Sequence, residues 1–125
     1  MCVRELGVRA MTAFVVNLHR DGDVMDVSVV GEVDIATAPI MLGAASAALA
    51  QETVRTVRVD MSQVSFVDSC GLKALVELRQ AARMLEKSVV LLAPRPAQLH
   101  LLELTGLDTL FVIESPSNTP DLSAG

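Results

Sequence analysis

One change of period constrains this chain more than any other feature. Val54-Arg55-Thr56-Val57-Arg58-Val59-Asp60-Met61 is β-branched and largely alternates apolar with polar, the pattern of a half-buried strand. Beyond it, Leu72, Leu75, Leu78, Ala82 and Leu85 recur at three- and four-residue steps, which is the spacing of one face of a helix. The eight residues Ser65-Phe66-Val67-Asp68-Ser69-Cys70-Gly71-Leu72 therefore form a strand-to-helix connection. A strand that feeds a helix and then another strand needs a crossover, so helices must pack against a parallel or mixed sheet.

The remaining segments extend this alternation in both directions. Thr12 to His19 suits a strand, Arg20-Asp21-Gly22-Asp23 supplies a hairpin turn, and Val24–Val30 pairs back as a second strand. Gly31-Glu32-Val33-Asp34 ends that strand. Thr37, followed by Ala38 and Pro39, then opens an alanine-rich helix reaching about Gln51, suited to close packing on a sheet. The helix after the connection reaches about Glu86, with Lys73 and Glu77 as an exposed i,i+4 pair. Ser88–Leu92 reads as a buried strand stopped by Pro94. Pro96 opens a third helix carrying Leu99, Leu102 and Leu104 to Gly106, and Leu110–Ile113 adds a last short strand. The order β-β-α-β-α-β-α-β predicts an α/β fold: a mixed, mostly parallel sheet, helices mainly on one face, the first hairpin at an edge. Residues 1–10 are expected to form a flexible N-terminal tail, 11–114 the domain, and the Ser-, Pro- and Asn-rich 115–125 a disordered C-terminal tail.

Composition removes several functions. A chain of 125 residues suits one domain with a real core. Aromatics are 2 % with no Trp or Tyr, which leaves no stacking platform for bases, and a net charge of −5 has the wrong sign for nucleic acid or anionic membrane. The longest uncharged run, Ile35 to Ala50, is shorter than a membrane span and is broken by Pro39 and Gly43. The N-terminal residues carry no sustained apolar stretch of the signal-peptide kind. Cys2 and Cys70 lie far apart, without a Cys-x-x-Cys or a neighbouring His; this fits neither a disulfide framework nor zinc and predicts a reducing, cytoplasmic setting. No glycine-rich phosphate loop is present, and no cofactor or metal is expected.

The connection carries the chemistry. Either Asp68 or Ser69 can be the helix N-cap, since both side chains present an oxygen to free backbone N–H groups. In both cases the Ser69 hydroxyl sits at the positive end of a helix, and Gly71 is expected to leave the first-turn amides open to an anion. The anion expected here is covalent, a phosphoryl group on Ser69; the plain alternative is that Ser69 only caps. Cys70 at a helix start is a candidate reactive thiol. A nucleophile also needs a base, however, and His19 and His100 fall on an edge strand and a distal helix. The expectation is a protein that is not an enzyme.

Gly31-Glu32-Val33-Asp34, Val67-Asp68-Ser69-Cys70-Gly71-Leu72 and Thr105-Gly106-Leu107 together resemble, in order and spacing, the STAS-domain anti-sigma factor antagonist family. The resemblance runs from about Val15 to Ile113 and implies the STAS fold. It further implies a small cytoplasmic regulator that, when unphosphorylated, binds an anti-sigma factor with serine kinase activity and so frees a sigma factor for transcription. The kinase phosphorylates the serine after the motif's aspartate, here Ser69, and a serine phosphatase reverses it. Val33, Asp34, Asp68, Ser69, Cys70, Gly71 and Leu72 then contribute to partner binding. The chain departs from the family pattern at Cys70, where Ser or Thr is usual, at Lys73, where many members have glycine, and at Lys87, where a glycine pair is common. The alternatives are a STAS subunit of a larger transporter-associated or signalling assembly, or a redox-sensing domain using Cys70.

Overall fold

The computed structural model describes residues 14–115. The elements run β1 (Val15–Asp21), β2 (Val24–Val33), α1 (Ala38–Leu49), β3 (Thr56–Val67), α2 (Ser69–Met84), β4 (Ser88–Leu92), α3 (Pro96–Thr105), a 3-10 turn (Leu107–Thr109) and β5 (Val112–Glu114). The sheet has five strands in the order β1-β2-β3-β4-β5, antiparallel between β1 and β2 and parallel elsewhere. The hairpin thus stands at an edge, as the order of elements predicts. The predicted terminal tails lie outside the described residues, apart from Ser115.

Alternation along the strands sets the two faces. Met25, Val27 and Val29 of β2, Val57, Val59 and Met61 of β3, and Val89 and Leu91 of β4 are buried under the helices. Against them α1 sets Met41, Ala45, Ala48 and Leu49, α2 sets Ala74, Leu75, Leu78 and Ala82, and α3 sets Leu102. Each fully buried Leu contributes about 1.5–3 kcal/mol relative to exposure. Small residues on α1 let that helix lie close to the sheet, as its alanine content predicts. On the opposite face Asp26 and Arg58, cross-strand partners, form a two-pronged pair, Nε to Oδ1 at 2.5 Å and Nη2 to Oδ2 at 3.0 Å.

Several boundaries differ from the sequence reading. The third strand does not end at Met61 but runs on to Val67 through residues assigned to the connection. There it stays paired with β2, after two register shifts between Ser28 and Glu32. Gly31, at φ 114, absorbs the irregularity in a conformation that side chains disfavour. β5 is Val112–Glu114 rather than Leu110–Ile113, because the 3-10 turn and its cap take up Leu107 to Leu110. Gly106, at φ 76, closes α3 in the left-handed region.

Candidate functional site

The extension of β3 builds the site. Val33 and Val67, the last residues of β2 and β3, are cross-strand partners in a parallel pair, so the loops that follow both strands leave the same end of the sheet. A hydrogen bond ties the two loops together: Asp68 N donates to Val33 O at 3.2 Å. In open α/β sheets the carboxyl ends of the strands are where sites gather.

The first loop is locked by its own side chains. Asp34 Oδ1 accepts from Ala36 N and Thr37 N, both at 3.0 Å. The Thr37 hydroxyl donates to Glu32 O at 2.6 Å and accepts from Asp34 N at 2.9 Å. The Thr37 amide, helped by its hydroxyl and by Ala36, holds the Asp34 carboxyl below its ordinary value. Thr37 stands at the start of α1 as the sequence predicts, but its hydroxyl turns back into the loop and makes no cap bond to the helix.

The second loop resolves the choice of cap. Asp68 is the N-cap of α2, its Oδ1 accepting from Cys70 N at 2.9 Å and Gly71 N at 3.1 Å. Ser69 is the first helical residue, and it is exposed. This corrects the expectation of open first-turn amides: the Asp68 carboxylate already occupies them, so the helix start is not a vacant anion site. Gly71 is buried, and its role is steric. A Cβ there would stand 2.7 Å from Val67 Cγ1, 2.9 Å from Val33 Cγ1 and 3.2 Å from Val33 O.

Of the seven residues singled out by sequence, the structure brings all together at this end of the sheet but gives them different exposures. Ser69 is exposed; Asp34, Asp68, Cys70 and Leu72 are half-buried. Val33, 1 % exposed, and Gly71 are buried, so these two shape the site by packing and offer a partner no side-chain surface. Cys70 carries a free thiol on a groove of about 440 Å³ between α1 and α2, lined also by Ile35, Pro39, Leu42, Lys73 and Glu77. No histidine lines it. Ile35, 76 % exposed, is an apolar contact that the sequence reading did not single out; a lone isoleucine in the polar Asp34–Thr37 turn was its signal. A second groove of about 470 Å³ separates Phe66 from Leu101 and Leu104 of α3, with Arg95 and His100 at its rim. Ser69 therefore lies in a connection whose residues border two apolar grooves. Met84 is exposed, far along α2.

Among the described residues no cluster of His, Cys, Asp and Glu has metal-holding geometry, and no helix is long and apolar enough to cross a membrane.

Known proteins of this architecture are close at hand. The chain is 32% identical over 97 residues to the anti-sigma-B factor antagonist of Listeria monocytogenes, covering 78% of this chain and 84% of that protein. It superposes on the crystal structure of an anti-sigma factor antagonist from Mycobacterium paratuberculosis with a TM-score of 0.73 and 31% identity, covering 88% of each chain. Unphosphorylated SpoIIAA gives 0.68 at 20% identity, over 84% of this chain and 90% of that one, a likeness of fold. The family model described as Mlab, STAS domain matches residues 16–114, nearly all of the sheet and its helices. The chain belongs to the STAS-domain family.

Proposed function

We propose that this protein is an anti-sigma factor antagonist, and that the face around Ser69 is its docking surface and its switch. Unphosphorylated, it binds an anti-sigma factor and so frees a sigma factor; its place of work is the cytoplasm. The anti-sigma factor is itself a serine kinase that moves the γ-phosphoryl of ATP to Ser69. The Ser69 Oγ–P bond forms, the bond to ADP breaks, and the hydroxyl proton leaves to the kinase. A serine phosphatase restores the free hydroxyl. Ser69, Asp34, Asp68, Cys70 and Leu72 supply contacts, with Ile35 beside them, while Val33 and Gly71 fix their positions.

The observation that carries this reading is Ser69, an exposed residue directly after the Asp68 cap, in a chain 32% identical to an anti-sigma-B factor antagonist. Because Asp68 already satisfies the first-turn amides, a phosphoryl on Ser69 adds about −1.5 to −2 charge beside two carboxylates, Asp34 and Asp68, without remaking the fold. Desolvating that charge in an interface is expected to cost roughly 3 kcal/mol, about a hundredfold in affinity. The test is incubation with the cognate kinase and ATP followed by mass-spectrometric mapping. Phosphate on Ser69 that disappears in Ser69→Ala supports the reading; label placed elsewhere and persisting in Ser69→Ala sinks it. Ser69→Glu is expected to lose anti-sigma binding while melting like the wild type.

A further inference from the structure

Lys73 stands one helical turn after Ser69 on α2, and both residues are exposed. Residues four apart on a helix are neighbours, and every Cα–Cβ bond tilts toward the N-terminus, so the Lys73 stem leans toward Ser69. We propose that Lys73 is a phosphate-holding residue, whose ammonium pairs with a phosphoryl group on Ser69 and sets that group's charge near neutral pH. The proposal rests on the reading of Ser69 as the phosphoacceptor.

Three features direct the phosphoryl to Lys73. The amides of Cys70 and Gly71 are taken by Asp68, so the helix start offers those two donors to no second anion. Lys73 is the single cation lining the groove beside Cys70, and no ion pair engages it among the described residues. Its one competitor on the same helical face is Glu77, which follows it by four. An acid N-terminal to the lysine pairs better on a helix than an acid C-terminal to it, so Ser69 phosphate outcompetes Glu77. The carboxylates at this end of the sheet, Asp68 at the cap, Asp34 in the loop after β2 and Glu32 near the end of β2 itself, push the phosphoryl pKa up; Lys73 opposes them.

The test installs phosphoserine at 69 genetically, which makes it independent of any kinase. A phosphorus NMR titration then compares wild type with Lys73→Met and Lys73→Arg. The second phosphoryl pKa, near 6 in free phosphoserine, is expected to lie about 0.3 of a pH unit lower in wild type and Lys73→Arg than in Lys73→Met. That gap is expected to close at about 1 M salt. Melting of the unphosphorylated variants checks that they fold. Equal midpoints in wild type and Lys73→Met at low salt overturn the proposal. A normal gap combined with no kinase labelling of Ser69 overturns the proposed function instead.

Discussion

Gly71 lies so close to Val33 that a methyl group on it would stand 2.9 Å from Val33 Cγ1. The first turn of α2 is thereby seated on the ends of β2 and β3, and the exposure of Ser69 follows from that seating.

Gly71→Ala is expected to destabilise the protein by about 1–3 kcal/mol, since both valines it meets belong to the packed core. Val67→Ala in the same chain should recover part of the loss by removing the nearest contact, Val67 Cγ1 at 2.7 Å. Gly43 of α1 is the control: a Cβ there meets nothing within 4 Å, and Gly43→Ala should gain about 0.5–1 kcal/mol. Urea melts of the three proteins check both signs; a neutral Gly71→Ala would show that the site tolerates a looser seat.

Gln98 is the buried polar side chain of the described core, 6 % exposed. Its Nε2 donates to Val64 O at 2.7 Å and its Oε1 accepts from Arg95 N at 3.0 Å. Gln98→Ala leaves both groups without a partner, and a loss of about 2 kcal/mol is expected in chemical denaturation. A change below a few tenths would mean that water replaces both bonds.

Asp34 gives the pH dependence a sign. Its folded pKa is lowered from 3.8, chiefly by the Thr37 amide, so the ionised carboxylate stabilises the loop above that pH. The contribution fades as pH falls through the lowered folded value. Asp34→Asn keeps an acceptor oxygen and removes the charge. Its melting temperature is expected to lie below wild type at pH 7 and to approach it below about pH 4. A gap that stays constant down to pH 3 would remove Asp34 ionisation from the account.

Local patterns made much of this readable. Ser88–Leu92 and the helix from Pro96 to Gly106 lie where their prolines and glycine put them, because those residues act on the backbone by themselves. The second half of β3 was not readable. Ser62-Gln63-Val64-Ser65 is polar enough to pass for a turn, and it is held as strand by β2 on one side and α3 on the other. The choice between Asp68 and Ser69 as cap depends on backbone angles that neither residue type fixes. In the sequence Lys87 reads only as a departure from a glycine pair. Its ammonium instead donates to Leu49 O at 2.5 Å and Gln51 O at 2.9 Å, at the negative end of α1, a contact between residues far apart in sequence.

β3 is twelve residues long, yet β4 accompanies it only from Thr56 to Asp60. Along the overhang, Ser62 O and Val64 O accept from Arg95 Nε and Gln98 Nε2. Side chains of α3 and of the residue that precedes it thus plug acceptors that a visiting strand would need. A partner docking here would be denied β-augmentation along this overhang and would have to recognise shape and charge at the tip, the charge that the proposed phosphoryl group on Ser69 would change.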